Sequence, residues 1–273
     1  MKKLLTILVA VMMSIVACFS LTACQETQTI KIGAQSNTTG YMFASCLKGT
    51  EAKAYPNPSL AAMDLASGKI DYVITDKAVA ENLVKKVDGI KMIDVALTGE
   101  EFFGMAVDVN QTTLLESVNA FFQAKATEIN EIQAKYLAGE TEKYVGISAN
   151  VTVPGATETL KVATNAEYAP FEFTEGELFM GIDMEIAKLL AEYLGMNLEI
   201  VHMPFESVVT SVGTNGFDIA IAALTITNDR EANINFTDAY YVNSQVILCK
   251  ESNEALDDAG VLMDILSVLC ANK

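Results

Sequence analysis

The chain has 273 residues, with 35 acidic and 18 basic side chains and a formal net charge of −17. So acidic a surface repels nucleic acid and anionic lipid headgroups, which excludes a nucleic-acid-binding protein. One histidine and five cysteines without C-x-x-C spacing argue against a zinc site, and no Ser–His–Asp or Cys–His arrangement can be assembled. We therefore expect no metal, no cofactor and no nucleic-acid partner.

The first 24 residues have the order of a bacterial lipoprotein signal peptide. Lys2 and Lys3 precede an apolar run over 4–16, small residues follow, and the motif "LTAC" ends at Cys24. The apolar run is too short to span a membrane comfortably. We predict a signal peptide with a lipobox at 1–23, lipidation of Cys24 and anchoring outside the cytoplasmic membrane. Ordinary signal cleavage beside an incidental cysteine is the alternative.

Between residues 30 and 97, predicted strands alternate with predicted helices. The strands are "TIKIGA", "AKAY", "IDYVITD" and "KMIDVAL", and the helices between them are "GYMFASCLKG", "NPSLAAMDLASG" and "KAVAENLVKKVDG". The second helix has Pro58 near its start and Gly68 past its end, as helix boundaries favour. This rhythm predicts a mostly parallel sheet covered by helices.

The second half of the chain has the same alternation of strands and helices, and a middle segment with two consecutive helices separates the two blocks. "FFGMAVDV" predicts one strand, two amphipathic helices follow it, and the Gly- and Pro-containing segment 139–157 predicts a linker. A second alternating block starts at residue 158 and ends in one long strand, "YYVNSQVILCK". The tail, 252–273, predicts one more helix.

Several motifs of the second block resemble the first lobe of the family 3 extracellular solute-binding proteins. They are "LKVATNAEYAPFEF", "GIDMEIAKLLAEYLG" and "FDIAIAALTITNDREANINFTDAYY". The first block, "KIGAQSNTTGY" through "GKIDYVITDKAVAENLV", resembles that family's second lobe, and "GEEFFGMAV" resembles the return into the first lobe. The resemblance implies an α/β, two-lobed type II periplasmic-binding-protein (Venus-flytrap) fold. It also implies an amino-acid receptor of an ABC importer.

The order of these pieces differs from the family, in which the first-lobe sequence leads. Here that sequence comes last and each piece is present once, which implies a circularly permuted chain. A misassembled gene whose product does not fold is the alternative. The implied domains are lobe 2 at 30–103, completed by about 244–273, return helices of lobe 1 at 104–138, a linker at 139–157 and the main part of lobe 1 at 158–243.

The resemblance further implies a cleft for a zwitterionic amino acid. Arg230 matches the family's carboxylate-binding arginine, and Asp76 matches its ammonium-binding acid. A guanidinium is suited to this task because it can grip a carboxylate bidentately. The other matching positions are Thr38 and Thr39 in an anion-binding loop, Tyr168 and Phe205 as aromatic walls, and Ala223 and Thr225 as backbone and hydroxyl contacts.

These residues also have purely structural interpretations. Arg230 could pair on the surface with Asp229 or Glu231. Asp76 and Thr38 could serve only as helix N-caps, and aromatic residues beside proline often pack in a core.

Asn165 stands where the family's binders of basic amino acids carry an acid. Because no second acid is evident in the pocket, a cationic side chain would lack a partner, and we predict a neutral or polar L-amino acid. We expect a monomer that is not an enzyme and that works with an ABC transporter permease. The alternatives are a sensor or a dehydratase-like enzyme on the same fold, for which Glu167 and Glu172 are the nearby candidates.

Overall fold

The computed structural model describes residues 29–213 and 216–252, and from Lys31 onward these residues belong to one compact unit. The predicted signal peptide, the lipidation of Cys24 and the helix predicted for the tail lie outside the described residues. Within the described ranges, no helix is both long and apolar enough to cross a membrane.

Helices and strands alternate through most of the described chain. The strands are β1 Ile30–Gln35, β2 Thr50–Tyr55, β3 Tyr72–Asp76, β4 Ile90–Ile93, β5 Glu101–Phe103, β6 Ala106–Val107, β7 Asn150–Val151, β8 Thr159–Thr164, β9 Glu167–Tyr168, β10 Glu172–Glu175, β11 Leu178–Met180, β12 Asn197–His202, β13 Ile219–Ala220, β14 Asn235–Phe236, β15 Tyr241–Asn243 and β16 Gln245–Lys250. The helices are α1 Thr39–Cys46, α2 Pro58–Ser67, α3 Lys77–Lys86, α4 Thr112–Ala124, α5 Ala126–Ala138, α6 Ile182–Leu194, α7 Phe205–Ser211 and α8 Asn228–Glu231.

Two main sheets divide these strands, and we call each sheet with its helices a lobe. Lobe A holds the order β2-β1-β3-β16-β4, and lobe B holds β14-β6-β13-β8-β12-β7. β1 and β3 run parallel, as do β8 and its neighbours β12 and β13. The parallel βα units predicted from the alternating pattern are therefore confirmed.

Each lobe receives one antiparallel strand from the other half of the chain. β16 inserts between β3 and β4 of lobe A, and β6 inserts between β13 and β14 of lobe B. Without the edge strand β7, both sheets have the same order: second strand, first strand, third strand, crossing strand, fourth strand. The two lobes are thus topologically equivalent.

The two crossings are the part of the fold that the sequence pattern misses. "FFGMAVDV" and "YYVNSQVILCK" were each predicted as one strand, and this is wrong. The first breaks at Gly104–Met105 between β5 and β6, and the second breaks at Ser244 between β15 and β16. β5 and β15 pair antiparallel in a two-stranded ribbon, which we call the hinge ribbon. Each strand breaks because the chain leaves the ribbon there and enters a different sheet.

Local signals explain several helix boundaries. α2 begins at Pro58, and the side chain of the preceding Asn57 caps it by accepting a hydrogen bond from the Leu60 N–H. The helix ends before Gly68, which has a left-handed conformation. In lobe B, α4 and α5 pack on α6 and bury Val118 and Phe121 of α4 in the core. The segment predicted as a linker, 139–157, contains β7, which pairs with β12 at the edge of the lobe B sheet.

Candidate functional site

The cleft between the lobes is lined by segments that follow strands β1, β3 and β13. In α/β sheets ligands bind at this carboxyl edge of the strands. The lining residues are Thr38, Thr39, Asp76, Tyr168, Phe205, Ala222, Ala223, Thr225 and Arg230. The space left among them is about 10 Å³, roughly the room of one water molecule. A larger ligand therefore enters only when the lobes separate.

Arg230 reaches across the cleft from α8. Its Nη1 donates to the carbonyl of Thr225 at 2.8 Å, and its Nη2 donates to the carbonyl of Asn37 in lobe A at 3.1 Å. The guanidinium lies 5.6 Å from the ring centroid of Phe205, a cation–π contact. Within the described residues Arg230 forms no ion pair, so the interpretation as a surface arginine paired with its acidic neighbours is wrong.

The opposite wall of the cleft is the N-terminus of α1. The Thr38 hydroxyl accepts from the Tyr41 N–H at 3.2 Å and donates to the Gln35 carbonyl at 2.7 Å, so Thr38 is the helix N-cap. Thr39 is the first residue of the helix. Free N–H groups and the helix dipole make such a terminus attractive to an anion. Thr38 thus serves as an N-cap and also lines the cleft.

Asp76 ends β3 and is 4% exposed. Its carboxylate accepts hydrogen bonds from Tyr168 Oη, Asn243 Nδ2 and Gln245 Nε2. It makes no capping hydrogen bond to α3, so the interpretation as only an N-cap is wrong. Burial raises the pKa of Asp76 to about 7; the bond from Tyr168 opposes this shift, and the charge of Glu101 adds to it.

The two predicted aromatic walls both line the cleft. Tyr168 lies in β9 of the small sheet β11-β10-β9, which the chain forms directly after β8 of lobe B. It donates its hydroxyl to Asp76 of lobe A at 2.5 Å and thereby closes one side. Phe205, the first residue of α7, lies beneath the guanidinium of Arg230. An amino-acid side chain placed between these rings would contact apolar surface on two sides.

A buried acid supports the cleft backbone at Ala223. This residue has a φ of +47°, uncommon for a residue with a Cβ, and its N–H donates to Asp183 Oδ2 at 2.7 Å. The Tyr240 hydroxyl donates to both oxygens of Asp183. Burial raises the pKa of Asp183 to about 6, although the bonds from Ala223 and Tyr240 oppose the shift.

A second buried acid, Glu172, lies behind Asp183 and away from the cleft. It is 0% exposed, and its two oxygens accept no hydrogen bond from the described residues. Burial and the neighbouring charge of Asp183 raise the pKa of Glu172 well above its usual range. Gly181 packs against the backbone of this segment, where a larger residue would not fit, because a Cβ there would lie 2.1 Å from the Phe171 carbonyl oxygen.

The raised pKa of Glu172 predicts how this residue changes stability with pH. The proton is bound more tightly in the folded state, so its stabilising contribution is complete below the unfolded pKa and is lost as pH rises through the folded pKa. Glu172→Gln keeps a neutral group at all pH values. We expect the free energy of unfolding of this variant, relative to the parent, to increase by about 1–3 kcal/mol between pH 5 and pH 8.

Urea unfolding at several pH values measures this difference. Glu175→Gln, in the same strand but exposed, is the matched control and should show no such trend. A stability difference between Glu172→Gln and the parent that is constant from pH 5 to pH 8 would contradict the expectation.

Asn165 is the one predicted residue that does not line the cleft. Its Nδ2 donates to the Met203 carbonyl at 2.9 Å, and its Oδ1 accepts from Gln35 Nε2 of lobe A at 2.9 Å. It lines a neighbouring cavity of about 500 Å³ whose walls include Phe205 as well as Glu167 and Glu206. Asn165 therefore ties the two lobes together beside the cleft.

Sequence reasoning missed an acid that contacts two of the cleft residues. Glu101, in the hinge ribbon, accepts hydrogen bonds from the hydroxyls of Thr39 at 2.9 Å and Thr225 at 3.1 Å. Burial lowers the pKa of Arg230, and the charges of Asp76 and Glu101 act in the opposite direction. Glu101 thus lies next to Thr39 and Thr225, although it does not itself line the cleft. Among the described residues, no three His, Cys, Asp or Glu side chains are placed to hold a metal ion.

Gln245 and Asn243 were missed as well, although both donate to Asp76. All three missed residues lie at the crossings between lobes. Their signal was a polar residue near each strand break, in "GEEFF" and in "NSQVILCK". Because the breaks themselves were not predicted, neither was this group.

Comparison with known proteins finds a match in the second half of the chain. Residues 160–267 match the sequence profile of the bacterial extracellular solute-binding proteins, family 3. The match covers less than half of the 273 residues. The predicted type II periplasmic-binding-protein fold, with two α/β lobes, agrees with this match and with the two equivalent sheets.

Two curated relatives illustrate the extent of the match. The arginine-binding extracellular protein ArtP of Bacillus subtilis (strain 168) is 32% identical over 106 residues, which are 39% of this chain and 42% of ArtP. The histidine-binding periplasmic protein of Escherichia coli (strain K12) is 29% identical over 109 residues, 39% of this chain and 42% of that protein. The chain spans about two-fifths of the length of these relatives. Both are named as solute-binding proteins and not as enzymes.

Among solved structures, the ligand-binding core of GluR0 in complex with L-glutamate is 11% identical to this chain, with a TM-score of 0.49. The similarity covers 90% of this chain and 94% of that one. An ancestral cationic amino acid solute-binding protein, AncCDT-1, is 36% identical over 27% of this chain and 33% of its own, with a TM-score of 0.27.

Proposed function

We propose that the protein is an extracytoplasmic receptor that encloses an L-α-amino acid between its two lobes for an ABC importer. The observation that carries this proposal is the placement of Arg230 and Asp76 on one small cleft, together with the N-terminus of α1. A zwitterion needs a cation and N–H donors for its carboxylate and an acid for its ammonium. Arg230, α1 and Asp76 supply these three groups.

Closure around the ligand requires motion at the hinge ribbon. Interlobe hydrogen bonds, from Tyr168 to Asp76 and from Arg230 to the Asn37 carbonyl, must break for an amino acid to enter. Hinge bending of two lobes about a pair of crossing strands is an established closure motion of binding proteins. The permease would then distinguish the closed receptor from the open one.

The chemical class of the amino acid's side chain is argued from the hydrogen bonds that the nearby acids already accept. We retain a neutral or polar amino acid, because the cleft acids Asp76 and Glu101 already accept three and four hydrogen bonds from the protein. The relatives named for arginine and histidine supply the competing proposal, a cationic side chain. Such a side chain would extend past Phe205 toward Glu167 and Glu206 in the neighbouring cavity.

A thermal-shift screen with the twenty L-amino acids tests the function and separates these two classes. A ligand at a hundred times its Kd adds about 2.7 kcal/mol to the free energy of unfolding. For a chain of this size that is a rise in Tm of roughly 5–10 °C. We expect one or a few chemically related amino acids to give it, and a flat response to all twenty would refute the proposal.

The alternative of an enzyme is not favoured by the positions of its two candidate acids. Glu167 is exposed and accepts from Asn57 Nδ2 at 3.3 Å, and Glu172 is enclosed behind Asp183. Neither lines the cleft. A general acid or base must come within hydrogen-bond reach of the reacting atom.

We also propose that the chain is circularly permuted relative to its family. The equivalence of the two lobes supports this, because starting the chain at either lobe gives the same strand order and the same two crossings. The family match at 160–267, which follows four of the five strands of the lobe A sheet, fits a swapped lobe order. A gene rearranged to begin at residue 158, and to run from the C-terminus into residue 30, should yield a protein with the same ligand in the thermal-shift screen. An unfolded product would argue against the permutation.

Lipid anchoring at Cys24 is part of the proposed function. If the lipobox is used, Cys24→Ala should release most of the protein from membranes into the soluble extracytoplasmic fraction, because acylation supplies the attachment. Cell fractionation followed by immunoblotting measures this, with Cys46→Ala as the control for loss of a cysteine. Equal membrane fractions for Cys24→Ala and the parent would show that the lipobox is not used.

A further inference from the structure

Glu101 joins the two lobes through the threonines that face the cleft. Its Oε2 accepts from the Thr39 hydroxyl of lobe A at 2.9 Å and from the Thr225 hydroxyl of lobe B at 3.1 Å. Gln245 Nε2 approaches the same oxygen at 3.3 Å, and the Thr98 hydroxyl donates to Oε1 at 3.2 Å. The carboxylate thus accepts hydrogen bonds from both lobes next to the cleft.

The orientation of Gln245 is fixed by what surrounds it. Its amide nitrogen lies 2.5 Å from Asp76 Oδ1 and 3.3 Å from Glu101 Oε2, and both are carboxylate oxygens that accept. Thr39 Oγ1 is a third acceptor at 3.1 Å, so the two hydrogens of this nitrogen are shared among three oxygens. An amide oxygen in this position would face two acceptors, so the nitrogen must occupy it.

These contacts determine what the threonine hydroxyls can offer to a ligand. A hydroxyl has one hydrogen and two lone pairs. Thr39 and Thr225 both give their hydrogen to Glu101, so each oxygen has only lone pairs left for the cleft. A lone pair accepts from an ammonium and repels a carboxylate. The backbone N–H groups and Arg230 remain as the donors for a carboxylate.

We propose that Glu101 is a specificity-determining positioning residue. It takes the hydroxyl hydrogens of Thr39 and Thr225, so that both oxygens accept from the α-ammonium of the ligand and the cleft discriminates amino acids from simple carboxylic acids. The inference rests on the proposed function and adds a second acid to the recognition of the amine. Asp76 would contact the ammonium directly, whereas Glu101 acts through the two threonines.

The charges around the cleft also favour a ligand that carries an ammonium group. Asp76 and Glu101 are two acids beside one cation, Arg230, and both acids act on the Arg230 charge. An amino acid adds an ammonium next to the acids and a carboxylate next to the arginine. A carboxylic acid without the amine adds only a negative charge, which leaves the two acids uncompensated.

Glu101→Gln tests the inference because it keeps the shape and removes the charge. A neutral amide is a weaker acceptor than a carboxylate, which leaves the Thr39 and Thr225 hydroxyls freer to turn their hydrogens toward the ligand. Two probes are titrated by calorimetry: the best amino acid of the screen, and the acid of the same carbon skeleton with hydrogen in place of the α-amine. We expect the ratio of their affinities to fall about tenfold or more relative to the parent.

The neighbouring Glu100→Gln is the matched control, because Glu100 is exposed on the same segment, and its affinity ratio should equal that of the parent. An unchanged ratio in Glu101→Gln, with the parent binding its amino acid, would overturn the inference and leave the proposed function intact. A parent that binds no amino acid would overturn both. If Glu101→Gln fails to fold, Thr225→Val removes one oriented hydroxyl and predicts the same fall in the ratio.

Discussion

Arg230→Ala is expected to weaken amino-acid binding by roughly thirty-fold to several thousand-fold. Arg230 is the chain's only arginine and supplies the positive charge on the cleft. Closure would remove the ligand carboxylate and this guanidinium from water together. Truncating one member of such a desolvated pair costs about 2–5 kcal/mol, much of it because the other charge is left unpaired. Each 1.4 kcal/mol corresponds to about tenfold in Kd.

Calorimetric titration of the purified variant measures this loss. Lys188→Ala is the control, since Lys188 of α6 pairs with Glu192 and with no other acid of the described chain, and lies outside the cleft. The fold should persist in Arg230→Ala, because the side chain contributes two hydrogen bonds to carbonyls and one ring contact. Binding as tight as that of Lys188→Ala would remove Arg230 from the recognition of the carboxylate.

Asp76→Asn is expected to weaken amino-acid binding by a similar factor, because Asp76 would bind the ammonium group of the ligand. The variant keeps the shape of the side chain but offers the ammonium no charge. The raised pKa of Asp76, about 7, adds a second signature. The ammonium binds the ionised form, so the affinity of the parent should fall as pH decreases below about 7, by up to tenfold per pH unit. The affinity of Asp76→Asn should not change over that range.

Titrations of both proteins at pH 5.5, 6.5 and 7.5 distinguish this charge effect from a loss of structure. The stability of the parent should move in the opposite direction. Because the folded pKa of Asp76 is raised, its contribution to stability is present at low pH and is lost as pH rises through about 7. A parent affinity that does not change with pH would contradict direct contact between Asp76 and the ammonium.

The sequence was sufficient for the local structure and for most of the cleft. Pro58 and Gly68 bound α2 where the pattern placed a helix, and the alternation of strands and helices led to the parallel βα units of the two mixed sheets. Thr38 and Asp76 follow directly after strands, and a residue at the carboxyl end of a parallel strand must lie at the ligand edge of its sheet. Position in the chain therefore predicts position in the cleft.

The crossings between lobes were not predictable in the same way. A hydrophobic pattern with period two continues through "FFGMAVDV", although the chain changes sheet at Gly104–Met105. The pattern reports burial on each face and not which sheet buries it. Glu101 and Gln245 depend on that change of sheet, so their contacts with Thr39, Thr225 and Asp76 emerge only from the tertiary structure.

Calorimetric titration of the unaltered protein with its best amino acid and with the methyl ester of that amino acid tests the central proposal most directly. Esterification removes the carboxylate charge that Arg230 and the N-terminus of α1 would hold and leaves the ammonium and the side chain unchanged. We predict one binding site per chain for the amino acid and an affinity at least about a hundredfold lower for the ester. Equal affinities for the two compounds, or no binding of any amino acid, would contradict an amino-acid cleft between Arg230 and Asp76.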